Sequence, residues 1–290
     1  MFDLAHVTDM HLVEPHYRAR SGSDLQRLYY LSAGRRIDSE RRYERALGAL
    51  QTAGRNAAHV VVTGDLTEDG VPEQFELLAD LLAESGLAPE RVTLVPGNHD
   101  RYVEPDEFER ALRGPLRPYL ATSSEGRVVE LPGGAWLLPV STAIPQSFLR
   151  SAGRVSELDL ERMQQLAKHA RRAGKLALVA QHHPPHGYGL PAWNWIDGLL
   201  NAAVGRALLG AHAKLHVLHG HTHKQVSEAF GLGRPPQAHS GAATVASADN
   251  VRFYQITREA LLPQADGDTT CSRRFLGSST NQNSMISAIT

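Results

Sequence analysis

A single cysteine, Cys271, stands among 290 residues. That scarcity excludes a disulfide framework and any zinc site built on thiolates. Its place near the C-terminus also makes it a poor candidate nucleophile. Net charge is almost absent too: 30 Lys and Arg face 31 Asp and Glu, for a formal charge of -1. A general nucleic-acid coat would be basic, so no stable nucleic-acid partner is expected. No run reaches the roughly 18 apolar residues needed to span a bilayer. Met1–Val7 lacks the basic start and long apolar stretch of a secretory signal. The expected location is therefore the cytoplasm, with room for peripheral contact at the inner membrane surface. A hydrophobic share of 42% with 21% charge fits an ordinary folded chain rather than a disordered one. What the chain does have is histidine, 15 in all, and histidine serves both metal ligation and acid–base chemistry.

Short β-branched runs alternate with amphipathic ones. Residues 4–8, 60–63, 92–95, 176–179 and 215–218 read as buried strands. Helical spacing is expected near 39–55, 73–85, 106–113, 156–172 and 197–209, with Ser156 and Asp159 forming a helix start. This alternation predicts an α/β architecture with a largely buried sheet. Further strands are expected over 224–230, 238–246 and 251–256. One domain is expected over residues 1–260, followed by a tail over 261–290 whose Ser/Asn/Gln-rich end, Gly277–Thr290, reads as poorly ordered. A basic insert at 16–45 carries eight arginines against four acids, together with Leu25, Leu28, Tyr29, Tyr30 and Leu31.

Five polar clusters follow the predicted strands: Asp9-Met10-His11, Gly64-Asp65, Gly97-Asn98-His99-Asp100, His182-His183-Pro184 and Gly220-His221-Thr222-His223. Loops at the carboxyl ends of buried strands converge on one edge, so dispersed clusters can meet there. The side chains on offer are carboxylates, an amide and imidazoles. Such a set suits Mn, Fe, Zn or Co.

These blocks, D-x-H, G-D, G-N-H-D, H-x-P and G-H-x-H in that order, resemble the calcineurin-like metallophosphoesterases. They span residues 9–223, most of the chain. The resemblance implies a four-layer α-β-β-α sandwich of two mixed sheets flanked by helices, with a dinuclear metal centre at the strand ends. By position, Asp9, His11, Asp65 and His223 would hold one divalent ion. Asp65, Asn98, His182 and His221 would hold the other, with Asp65 bridging. Manganese is the first expectation for both. His99 matches the non-liganding histidine that assists the chemistry, and Asp100 is expected behind it, orienting a neighbouring imidazole. The implied reaction is hydrolysis of a phosphodiester or pyrophosphate bond by a metal-bridging hydroxide. A binding module that kept the fold without catalysis would be expected to lack a ligand, and none is missing.

By default a histidine is a solvated or hydrogen-bonded structural residue, and His59, His169, His212 and His216 read that way. His183, His186 and His219 adjoin ligands and fit either loop packing or the site. Gly64, Gly97 and Gly220 read as residues that simply permit the turn leaving each strand. The candidate substrate contacts are His183, His186, Trp193, Trp195, Arg35 and Arg36. The substrate is expected to be a phosphorylated small molecule or a lipid-linked one. The basic, partly apolar insert looks like those of bacterial members acting on lipid precursors such as UDP-2,3-diacylglucosamine, with contact at a membrane surface. The alternatives are a cyclic nucleotide of the 3',5'-cAMP type or a glycerophosphodiester. A long apolar groove would favour the lipid, and a small polar pocket the cyclic nucleotide.

Overall fold

A computed structural model describes residues 1–32, 37–188 and 190–264. Arg35 and Arg36, Cys271 and the stretch 277–290 lie outside the described residues. In chain order the strands are β1 (Phe2–Val7), β2 (Ala57–Thr63), β3 (Val92–Val95), β4 (Val129–Leu131), β5 (Ala135–Pro139), β6 (Leu176–Ala180), β7 (Leu215–His219), β8 (Ser227–Glu228), β9 (Ala238–Ser240), β10 (Arg252–Ile256) and β11 (Leu261–Pro263). The helices are α1 (Gly22–Leu31), α2 (Ser39–Asn56), α3 (Pro72–Glu84), α4 (Glu107–Arg113), α5 (Leu120–Ser123), α6 (Glu157–Arg172), α7 (Pro191–Asp197) and α8 (Ala202–Ala211).

Two mixed sheets form the centre. One runs β11-β10-β1-β2-β3 and the other β4-β5-β6-β7-β9-β8. Strands β1, β2 and β3 are mutually parallel, as are β5, β6, β7 and β9, while the outer strands pair antiparallel. Period-two alternation divides each strand between layers. Leu4, Val61, Leu137, Leu178 and Leu218 pack between the sheets with Tyr254. Val60 and Val62 instead meet Leu50 of α2, Phe75 and Leu78 of α3 and Phe108 of α4. On the other side Ala177, Val179 and Val217 meet Met163 and Leu166 of α6 and Leu209 of α8. The result is the expected four-layer α-β-β-α sandwich. Asp38 and Ser156 cap α2 and α6, accepting from the backbone N–H of Arg41 and Asp159 at 3.0 Å each. Among the described residues no helix is long and apolar enough to cross a membrane.

Three expectations need correction. The helix expected over 197–209 starts only at Ala202, because residues 198–200 pair with the backbone near Gly153 instead. Gly153 N donates to Gly198 O at 3.0 Å and Leu200 N to Gly153 O at 2.8 Å. The late strands are also shorter than their β-rich sequence suggested. After Ser240 the chain leaves the sheet, and Thr244 N and Val245 N donate to the carbonyls of Thr8 and Asp9 at 3.0 Å. Those residues fasten the first motif rather than extend a strand. Finally, Leu261–Pro263, assigned to the tail, forms edge strand β11 against β10.

Candidate metal centre

All five motifs leave the carboxyl ends of parallel strands: β1, β2, β3, β6 and β7. Backbone bonds knit the exits together. Asp9 N donates to Gly64 O at 3.1 Å, His11 N to Asp65 O at 2.9 Å and Gly220 N to His182 O at 3.0 Å. Among the described residues, the non-glycine residues with positive φ are Asp9 (54°), His11 (51°), Asp65 (47°), His221 (69°) and His223 (57°). Every one is a candidate ligand. Left-handed backbone costs such residues on the order of 1 kcal/mol or more, and that cost is characteristically concentrated at functional sites.

Close approach also explains two glycines, more fully than the turn expected of them. A Cβ on Gly97 would stand 2.2 Å from Asp65 Oδ1, and one on Gly220 would stand 1.9 Å from Thr8 Oγ1. Neither residue has positive φ. They are small so that the loops can meet.

Donor atoms gather in three trios among the described residues, one of them formed by His11, Glu68 and His99. In another, Asp9, His11 and His223 each offer one within 4.8 Å of the others, and in the third so do Asp65, His182 and His221. Within the Asp9 trio, His11 Nε2 lies 3.5 Å from His223 Nε2, which lies 3.4 Å from Asp9 Oδ1. Asp65 Oδ2 stands between the Asp9 and His182 trios, 3.2 Å from His182 Nε2 and 3.8 Å from His11 Nε2. His182 Nδ1 donates to Thr63 O at 2.8 Å, so that when the ring is neutral, as a metal ligand must be, Nε2 carries the lone pair. That Nε2 and Asn98 Oδ1 are both buried without a hydrogen-bond partner. Orphaned acceptors in a buried carboxylate–imidazole cluster fit a cation, whose charge would satisfy them. The residues present therefore fit a pair of divalent ions.

The electrostatics follow from this crowding. Burial pulls His182 down, but the Asp65 carboxylate outweighs it and lifts His182 to about 9. Burial would raise Asp65, yet the facing histidines hold it well below the usual carboxylate range. Asp9 is brought to about 2 against its burial, chiefly by His223.

His99, expected as a non-liganding group, shares a trio of possible donor atoms with His11 and Glu68. Its Nδ1 donates to Glu68 O at 2.6 Å, and its Nε2 lies 4.0 Å from Asp65 Oδ2. Asp100 is a correction: it orients backbone, not an imidazole. It accepts from Gly97 N (2.7 Å), Leu66 N (3.1 Å), Thr67 N (2.8 Å) and Thr67 Oγ1 (2.7 Å), locking the second and third motifs together. His183 is a second correction. It is fully buried, with Nε2 donating to Ser151 O and Nδ1 accepting from Thr142 Oγ1, both at 2.8 Å, so it is no substrate contact. His186 lines a cavity with His221 and pairs with Glu228 at 2.8 Å. Trp193 and Trp195 lie exposed on α7.

The insert carries a third correction. Most of its described arginines are committed internally. Arg20 pairs with Glu14 at 2.5 Å and Asp69 at 2.7 Å, Arg27 with Asp69 at 3.2 Å, and Arg42 with Glu68 at 2.6 Å. Arg45 donates to Val245 O at 2.5 Å. Arg41 instead faces a cavity of about 500 Å³ shared with His11, His99 and His223. The sequence reading also missed Glu68, whose carboxylate lies 3.1 Å from His11 Nδ1, and Tyr102, whose hydroxyl accepts from Asn98 Nδ2 at 2.8 Å. Both stand within three or four residues of a motif, which was the signal available. Asp197, 2.7 Å from His221 Nε2 through its carbonyl, carried none.

Comparison with known proteins gives a consistent picture. The family model described as calcineurin-like phosphoesterase matches residues 2–225. A cAMP/cGMP dual specificity phosphodiesterase of Mycobacterium tuberculosis (strain CDC 1551 / Oshkosh) is 27% identical over 233 residues, 78% of this chain and 63% of that protein. The chain thus spans less than two thirds of that relative's length. The fold is similar to a dimetal phosphatase from Danio rerio, with a TM-score of 0.61 at 13% identity, covering 90% of this chain and 98% of that one. It is also similar to the protein TT1561 of Thermus thermophilus, with a TM-score of 0.50 at 14% identity, covering 91% and 99%.

Proposed function

We propose that this chain, which belongs to the calcineurin-like phosphoesterase family and is a metal-dependent hydrolase, cleaves a phosphodiester bond in a small polar substrate of the cyclic-nucleotide class. The observation that carries the reading is the pair of donor trios meeting at Asp65, with cavities of about 500 and 360 Å³ opening on either side. Nine of the thirteen residues lining the larger cavity are polar or charged, Arg41 and Arg45 among them. The smaller holds His186, Asp197, Lys224 and Glu228. Such walls suit a sugar-phosphate and a base better than acyl chains, and the Mycobacterium tuberculosis relative is named for cyclic nucleotides. The lipid-precursor expectation loses its main support, since Arg20, Arg27 and Arg42 face buried carboxylates instead of solvent.

In this reading Asp9, His11, Asp65 and His223 hold one ion, and Asp65, Asn98, His182 and His221 the other. Two divalent ions, when bound, lower the pKa of water toward neutrality and offset charge on phosphoryl oxygens. The chain's own residues do the rest. Glu68 backs His11 and keeps its ring turned toward the site. His99, held through Nδ1, presents Nε2 to stabilise developing charge or protonate the leaving oxygen. Asp100 keeps Asp65 and Asn98 in register by bracing both loops. Arg41 offers its guanidinium to an anionic part of the substrate.

The test is turnover by full-length, Mn-loaded protein of 3',5'-cAMP, 3',5'-cGMP, a glycerophosphodiester and detergent-solubilised UDP-2,3-diacylglucosamine. Cyclic nucleotides are expected to be hydrolysed, and Asp65→Ala to abolish it. Turnover of the lipid alone would remove the cyclic-nucleotide reading, and undiminished turnover by Asp65→Ala would remove the metal-dependent site.

A further inference from the structure

Four of the five motifs supply the candidate ligands for the second ion, but the groups that aim those ligands lie largely outside them. They converge on one short stretch, Arg150–Ser151. Tyr102 Oη, which holds Asn98, donates to Arg150 O at 3.0 Å. His183, whose Nε2 donates to Ser151 O at 2.8 Å, has its ring 5.1 Å from that of His182 and 4.6 Å from that of His221. Ser151 Oγ donates to Asp197 Oδ1 at 2.5 Å. His221 Nε2 in turn lies 2.7 Å from Asp197 O and 3.1 Å from Asp197 Oδ1. Donation by Nε2 leaves Nδ1 as the lone-pair nitrogen of the neutral His221 ring.

Asp197 is the hub of this arrangement. It also accepts from Tyr188 Oη at 3.1 Å through Oδ2. It is the last residue of α7, the helix carrying Trp193 and Trp195, which are 55% and 59% exposed. The Arg150 guanidinium lies 4.1 Å over the Trp195 ring and donates to Trp195 O at 2.7 Å. The Asp9 trio is backed differently, by Thr8 on Asp9 and Glu68 near His11.

Resting on the metal-dependent reading above, we propose that Asp197 is a positioning residue: it fixes the tautomer and aim of His221 and, with Ser151, ties the second ion's ligands to the Trp-bearing helix α7. A carboxylate or carbonyl behind a ligating imidazole raises its basicity and holds its direction, and losing one typically costs about 10–100-fold in metal affinity.

The experiment is calorimetric titration of full-length, ion-stripped protein with Co(II), alongside kcat and KM for an aryl phosphodiester. Wild type is expected to take up two ions. Asp197→Ala should weaken one of the two by about 10–100-fold and leave the other unchanged, lowering kcat more than KM. Asp197→Asn, whose amide oxygen can still accept from His221, should recover most of the loss. Ser151→Ala should reproduce the one-site pattern more mildly, and it serves if Asp197→Ala fails to fold. Two wild-type affinities in both variants, or equal weakening of both sites, would overturn the assignment. A wild type that takes up no ion would overturn the functional reading itself, and this assignment with it.

Discussion

His182 and His6 are equally and fully buried, yet their acidities move in opposite directions. His6 sits between the sheets, where burial and then Arg252 bring it down to about 3. His182 sits at the edge, where Asp65 overcomes the same burial and brings it up to about 9. The surroundings differ between whole groups as well. His6, His59, His216 and His239 lie within regular strands, bonded to Thr63, Thr93 or each other. His11, His221 and His223 lie past strand ends, on left-handed backbone, facing carboxylates. Burial alone keeps a histidine neutral, and it takes a facing carboxylate to reverse that. The interior uses its histidines for packing, and the edge accepts strain in return for chemistry.

The sharpest way to break this comparison is to exchange one residue from each group. Asn98→Ala at the edge should lower turnover by more than the roughly 100-fold that outer-shell changes reach, with little change in melting temperature. His239→Gln between the sheets should leave turnover within about twofold. Equal losses of turnover would erase the distinction.

Acidification should strike the interior first. An unfolded histidine takes up a proton below about 6.5. His59 and His216 resist until about 4, and His6 until about 3, because burial disfavours the charged ring. The stability these three contribute is therefore complete above pH 6.5 and is lost as pH falls through that window, by roughly 1.4 kcal/mol per pH unit for each such histidine. Denaturant melts at pH 7.5, 6 and 5 on ion-stripped protein should trace this decline, and a flat profile would contradict it.

A smaller effect of opposite sign is expected at the edge. His223 has φ 57° and a half-exposed side chain. His223→Gly relieves that backbone and should stabilise the ion-stripped protein by up to about 1 kcal/mol while removing activity. A melting temperature several degrees lower would mean that no strain is held there. Smallest of all, Trp193→Ala on exposed α7 should change stability by no more than about 0.5 kcal/mol. If Trp193 contacts substrate, KM rises.

Legibility followed the range of the interactions. Asp9, His11, Asp65, Asn98, His182, His221 and His223 could be picked out as candidates because each motif is local and follows a strand whose apolar pattern is local too, while their assignment to two ions came from the resemblance. The capped start of α6 was readable for the same reason. The start of α8 at Ala202 was not, because residues near 153 decide it by pairing with 198–200. The insert was misread in a similar way. Its arginines looked free in sequence, but Glu68 and Asp69 lie 26 and 49 residues away from Arg42 and Arg20 in the chain.

By itself, the sequence determined the alternation of strands and helices, the strand-end placement of the candidate ligands and a donor set of oxygen and nitrogen with no thiolate. Those follow from periodicity and residue chemistry, which act over a few neighbours. Only the tertiary structure decided what stands behind each ligand. Asp100 braces loops, His183 is packing, and Asp197 holds His221 across 24 residues. It also decided that Gly97 and Gly220 must be small, since the atoms they would strike arrive from other strands. Such roles are set by distance in space, which a single sequence does not encode residue by residue.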